Sequence, residues 1–169
     1  NAFLAIEDRK FRTHHGFDFM RLGRAVLSNI TGSAKEGGSS ITQQLAKNAF
    51  LSPERSFDRK LKEAVLAIEI ERKYTKDEIL ENYLNTIYFG NGSYGIKNAA
   101  RKYFDKDTKD LTIAEAAILA SIPKSPTKYS PVKNYDNAIE RQKIVLSQMY
   151  KYKFITEAQY EEAQNQKIV

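Results

Sequence analysis

Two glutamates stand where a helix-forming sequence ordinarily places apolar side chains. Projected at about 100° per residue, residues 57–73 gather Lys62, Glu69 and Lys73 on one charged face, whereas Glu63 falls between Ala67 and Ile70 with Leu66 nearby. Glu7 repeats the pattern, with Phe3 and Leu4 one turn before it and Phe11 one turn after it, while neighbouring Asp8 is turned toward Arg12. Carboxylates in apolar surroundings exchange protons nearer neutral pH than solvated ones, and a pair of them is the arrangement used for chemistry at a sugar's anomeric carbon. Each also fits a plainer role. Glu63 could form an i,i+4 ion pair with Arg59, worth roughly 0.3–0.5 kcal/mol, and Glu7 could reach water from the edge of its row.

A second constellation concerns an anion. Gly37 and Gly38 lead directly into Ser39-Ser40-Ile41-Thr42-Gln43-Gln44-Leu45-Ala46-Lys47-Asn48, a helix start whose free N–H groups and dipole favour phosphate. Ile41, Leu45 and Ala49 form its expected apolar stripe, and Gln43, Gln44 and Lys47 its polar row. Arg55, Arg59 and Lys60 follow and add positive charge. The spacing is not that of a nucleotide-binding P-loop, because Gly38-Ser39 stands where Lys-Ser/Thr is required. A capped amphipathic helix with a solvated face is the competing reading.

The elements that must position these groups are helices. Ser or Thr followed three residues later by Glu or Gln occurs at Ser40/Gln43, Thr75/Glu78, Thr112/Glu115 and Thr156/Gln159, each ahead of an apolar periodic run. Periodicity adds helices over residues 2–12, 19–30, 57–73, 96–104 and 134–152. No strand ladder is evident, and the loops are marked by residues 32–39, by Gly90-Asn91-Gly92 and by the stretch holding Pro123, Pro126 and Pro131. The expectation is a mainly α fold with little or no sheet, forming a single domain over residues 1–169.

Composition narrows the partners. No run approaches the roughly 20 apolar residues that span a bilayer. Lys and Arg total 27 against 21 Asp and Glu, a net charge of +6 that favours anionic partners. The charges are mixed with acids, and no basic tail or zinc finger accompanies them, so nucleic acid is not an expected partner. The chain lacks cysteine, and His14 and His15 are sequence neighbours, which excludes a thiolate nucleophile and a multi-histidine metal site.

Taken in order, these motifs resemble the peptidoglycan glycosyltransferase (transglycosylase) domain of class A penicillin-binding proteins and of monofunctional glycosyltransferases. The similar segments are Glu7-Asp8-Arg9-Lys10-Phe11-Arg12-Thr13-His14-His15-Gly16-Phe17-Asp18; the Gly37 to Asn48 stretch; Arg59-Lys60-Leu61-Lys62-Glu63-Ala64; Ile79 to Gly90 with Gly92 and Tyr94-Gly95-Ile96; and Ala114 to Ala120 with Pro123 and Pro126. Ser40 departs from the pattern, which more often carries threonine there.

The resemblance implies a lysozyme-like helical glycosyltransferase fold that polymerises lipid II into β-1,4-linked glycan, with inversion at C1 and release of undecaprenyl pyrophosphate. Glu7 matches the family's general base and Glu63 its second essential carboxylate, near the donor pyrophosphate. Asp8, Phe11, His14, Ser40, Gln43, Gln44, Lys47, Arg55 and Arg59 fall on substrate-binding positions. No organic cofactor is implied; a divalent cation, magnesium or manganese, and its ligands are left open. The implied partners are lipid II, the growing glycan chain, the membrane surface and a fused transpeptidase domain. The implied location is the extracytoplasmic face of the bacterial cytoplasmic membrane, with the anchor in a segment absent from this chain. Residues 20–38 are the expected flap over the acceptor, with Phe17, Phe19 and Met20 as a lipid-contacting surface. A lysozyme-like glycan hydrolase and a non-catalytic precursor-binding module are the alternatives.

Overall fold

The computed structural model describes residues 1–168 apart from 21, 22, 25, 26, 28–30, 32–36 and 52–55. Among the described residues the helices are α1 (Ala2–Glu7), α2 (Ile41–Phe50), α3 (Phe57–Lys73), α4 (Lys76–Thr86), α5 (Ile96–Phe104), α6 (Ile113–Ser121), α7 (Tyr135–Lys151) and α8 (Glu157–Asn165), with 3-10 turns at Thr108–Asp110 and Ile122–Lys124. The extended pairing among them is a single antiparallel bridge between Tyr88 and Tyr94. The mainly α expectation therefore holds.

The start signals act as their chemistry dictates. Ser40, Thr112 and Thr156 each form a reciprocal capping box with the residue three positions on. At Thr75 the same exchange is made by the Glu78 carboxylate, which accepts from the Thr75 N–H at 2.8 Å, and by the Thr75 hydroxyl, which accepts from the Glu78 N–H. Ser56 caps α3 in addition, accepting from the Arg59 N–H.

One helix is shorter than periodicity predicts. α1 stops at Glu7, and residues 8–13 continue as tight turns in which the Phe11 N–H bonds to the Asp8 carbonyl and the Thr13 and His14 N–H groups bond to that of Lys10. The expected helix over 19–30 and the flap over 20–38 fall largely outside the described residues.

The chain divides into two compact units, residues 1–6 with 85–169 and residues 7–84. In the first, α6 packs on α7, and α8 on both. Ala114, Ala117, Ile118 and Leu119 of α6 and Val145 and Leu146 of α7 are fully buried. Gln142 of α7 donates to the Ala114 carbonyl at 2.9 Å. Gly95 caps the N-terminus of α5 at φ +80°, and a Cβ there would lie 2.6 Å from the Asn85 carbonyl oxygen, so both conformation and space require glycine. In the second unit α2 packs on α3, and Ile41, Leu45, Ala46, Ala67 and Ile70 are buried.

Candidate active site

Every candidate residue belongs to the second unit. Glu7 ends α1 partly buried, and its Oε2 accepts from the Gln44 amide nitrogen at 3.1 Å. The other end of that amide, Oε1, accepts from the Tyr83 hydroxyl at 3.2 Å. Tyr83 is fully buried on α4, and burial, reinforced by the charges of Glu7 and Asp8, pushes its phenol well above the ordinary range. It is therefore a neutral, permanent donor. A donor at Oε1 fixes which way the Gln44 amide faces and so keeps its NH2 on Glu7.

Asp8 does not face Arg12. It is buried, with Oδ2 accepting from the Ile41 N–H at 2.9 Å and 2.7 Å from His14 Nε2, while Arg12 pairs with exposed Asp77. The early end of α1 makes this possible, because the turns at residues 8–13 point the aspartate inward instead of along a helix face. The Gly16 N–H donates to His14 Nδ1 at 3.2 Å, which assigns the proton to Nε2 and makes the histidine the donor to Asp8. Phe11, fully buried, lies edge-on to His14 and carries the Lys76 ammonium 4.5 Å from its ring centroid.

Ser40 links this loop to α2: its hydroxyl donates to the Gly16 carbonyl at 2.5 Å and accepts from the Gln43 N–H. Gln43 is not part of an outward polar row. It is buried, its Oε1 engaged by the Ser40 N–H, and Ala49 of the expected apolar stripe is exposed. Lys47 is partly buried and has no ion-pair partner among the described residues.

On α3, Glu63 is 1% exposed, as its place on the apolar flank predicted. Its partner differs from the expected one. Lys60, at i,i+3, reaches Glu63 Oε1 at 2.7 Å and also donates to Ser39 Oγ at 2.5 Å. Glu63 Oε2 and Arg59 Nε are both buried without a hydrogen-bond partner among the described residues. Buried polar atoms rarely stay unpaired, and two of opposite character on one helix suit a ligand that brings both charge and acceptors. Arg55 lies outside the described residues.

Comparison with known proteins bears on this geometry. The transglycosylase family matches residues 1–150. The chain belongs to that family. Its relatives are class A penicillin-binding proteins. It is 52% identical over 149 residues to penicillin-binding protein 1F of Bacillus subtilis (strain 168), covering 88% of this chain and 21% of that protein. It is 50% identical over 166 residues to penicillin-binding protein 1A of Aquifex aeolicus (strain VF5), covering 98% and 23%. A crystal structure of penicillin-binding protein 1A from Haemophilus influenzae superposes with a TM-score of 0.54 at 32% identity, over 76% of this chain and 16% of that one. The chain thus spans about a fifth of the length of the relatives it matches. The transglycosylase likeness predicted from the motifs holds, and with it the enzyme class, a glycosyltransferase.

Within the second unit, sequence reasoning gave no site role to five participants. Tyr83 reads as core wall, and only its hydroxyl betrays a polar task. Lys60 reads as surplus surface charge. Thr42 and Glu71 bond to each other at 2.7 Å, and Lys76 closes on the same Glu71 oxygen at 2.7 Å. Glu71 lies eight residues after Glu63 on the same side of α3, so the projection that singled out Glu63 holds the signal for it too. Among the described residues no cluster of three or more His, Asp or Glu could hold a metal, and no helix is long and apolar enough to cross a membrane.

Proposed function

We propose that residues 1–169 act as one peptidoglycan glycosyltransferase domain that polymerises lipid II into β-1,4-linked strands. The observation that carries this reading is Glu7, whose carboxylate is held by an oriented Gln44 amide, in a chain belonging to the transglycosylase family. Glu7 takes the proton of the acceptor's 4-hydroxyl as that oxygen forms a bond to C1 of the donor. The bond from C1 to the pyrophosphate oxygen breaks with inversion, and undecaprenyl pyrophosphate leaves with the electron pair.

Lys47, Arg59 and Lys60 neutralise charge growing on that leaving group; among the described residues Arg59 brings a buried N–H without a hydrogen-bond partner and Lys47 an ammonium without an ion-pair partner. Arg55 is proposed for the same role on its sequence position. Asp8, Phe11, His14, Ser40 and Gln43 shape the site by holding the loop after Glu7 against α2. Among the described residues Glu63 Oε2 has no hydrogen-bond partner, and Glu63 would hold a magnesium or manganese ion arriving with the substrate pyrophosphate. Such an ion would supply further neutralisation of the pyrophosphate. The Phe19 and Met20 side chains, 73% and 67% exposed beside Lys10, suit contact with the membrane surface that presents the lipid substrate. The place of action would then be the extracytoplasmic face of the membrane, with a transpeptidase domain elsewhere in the parent protein.

The test is incubation of the chain with labelled lipid II, detergent and a divalent cation, with products resolved by size. Long polymers support the proposal. Shortening of added glycan with lipid II intact would identify a hydrolase, and binding without turnover a precursor-binding module.

A further inference from the structure

The carboxylate of Glu71 is buried far along α3 from Glu63, and the reaction proposed above gives it no task. Three elements converge on its Oε1. Thr42, in the first turn of α2, donates its hydroxyl at 2.7 Å; Lys76, opening α4, supplies its ammonium at 2.7 Å; and His14 Nδ1 stands 4.0 Å away. Lys76 in turn lies over the Phe11 ring. Through these contacts one oxygen of α3 joins α2 to α4 and lies near the loop that follows Glu7.

The grip on α2 has a specific consequence. Asp8 takes the Ile41 N–H and Glu71 the adjacent Thr42 hydroxyl, so two buried carboxylates hold consecutive residues of the same helix start. Asp8 is itself bonded to His14, whose Nδ1 faces Glu71. Gln44, two residues beyond Thr42, presents its amide to Glu7. The place of that amide is therefore set by where Asp8 and Glu71 hold the helix. A simple ion pair with Lys76 would need neither the threonine nor the approach to the histidine.

We propose that Glu71 is a positioning residue for the glycosyl transfer: with Thr42 and Lys76 it registers the start of α2 against the Asp8–His14 pair and so aims Gln44 at Glu7. The inference rests on Glu7 being the base. Displacing reacting groups by about 1 Å costs on the order of 100-fold in rate, so a partial loss of register lowers turnover without touching substrate affinity.

The test compares wild type, Glu71→Ala and Glu71→Gln in lipid II polymerisation, with the nitrogen NMR spectrum of the imidazoles as a second readout. Only two histidines are present, and exposed His15 serves as the internal control. Glu71→Ala is expected to lower kcat about tenfold or more with KM within about twofold. It is also expected to shift the His14 nitrogen resonances while the proton stays on Nε2, leaving those of His15 in place. Glu71→Gln, which keeps an acceptor for Thr42, is expected to recover most of the rate. Wild-type kcat in Glu71→Ala, or a rate loss with an unmoved His14 spectrum and a matching loss of folded protein, would overturn the proposal. If wild type itself leaves lipid II intact, the glycosyltransferase reading fails, and an unmoved His14 spectrum would overturn the register separately.

Discussion

Tyr83→Phe removes one oxygen from a fully buried ring and leaves the ring's volume in place. What is lost is the O–H that engages Gln44 Oε1 at 3.2 Å. A neutral hydrogen bond contributes about 1 kcal/mol net, and leaving its buried acceptor unsatisfied raises the cost to about 1–3 kcal/mol. For a chain of this size each kcal/mol moves the melting midpoint by roughly 2–4 °C, so the variant should melt about 2–12 °C lower. The catalytic effect has a different origin. Without a donor at Oε1, the Gln44 amide is free to turn its oxygen toward Glu7, which exchanges a favourable N–H contact for repulsion between an amide oxygen and a carboxylate. About 1.4 kcal/mol of lost alignment corresponds to a tenfold lower kcat. Because the hydroxyl acts behind Glu7 and not on substrate, KM should be unchanged. The assay is steady-state polymerisation of labelled lipid II beside a thermal melt. A variant with wild-type kcat, or one whose KM rises while kcat stays, would refute the orienting chain from Tyr83 to Glu7.

Other consequences are as direct. Lys47→Ala should lower kcat roughly 100-fold with an unchanged melting curve, as the role proposed for its ammonium at the leaving group requires; polymerisation and melting measured together check this. Lys60→Met strands the buried Glu63 carboxylate and should destabilise the chain by about 1–3 kcal/mol; adding Glu63→Gln should restore the midpoint but not polymerisation, as chemical denaturation and activity assays would reveal. In the first unit, burial alone would raise the Glu115 carboxyl, but hydrogen bonds from Lys106 and Thr112 outweigh it and hold the group below its usual range. A lowered carboxylate stabilises the fold above its unfolded value and loses that contribution as pH falls through the folded one. The gap in midpoint between wild type and Glu115→Gln should therefore be full at pH 7 and close as pH drops below about 4.

How much of this could be read from the sequence depends on the range of the interaction that decides each feature. Capping boxes are settled within four residues, and all those at Ser40, Thr75, Thr112 and Thr156 form. The bounds of α3 and α5 coincide with the periodic runs because nothing distant competes with them. Glu63 is buried as its flank predicted, for the same reason.

The failures come where a partner distant in sequence wins. Asp8 could have continued α1 facing Arg12, but the Ile41 N–H and His14 draw it inward and the helix ends at Glu7. Lys60 takes Glu63 in preference to Arg59 because the same ammonium also reaches Ser39. On α3 the apolar residues Leu61 and Val65 are 58% and 52% exposed while Glu63 and Glu71 are covered, an inversion of ordinary patterning. Such inversions are expected at a functional site. They explain why Glu63 was visible as an anomaly while Lys60, Tyr83, Thr42 and Lys76 looked like ordinary core and surface.

The central claim is that Glu7 is the base, and Glu7→Gln tests it most directly. The substitution keeps the shape of the side chain and its contact with Gln44 while removing the proton acceptor. Measured side by side, wild type and variant should bind lipid II equally and melt alike, and the variant's polymerisation should fall by a factor of at least about 100. Polymer formation within a fewfold of wild type would contradict the account.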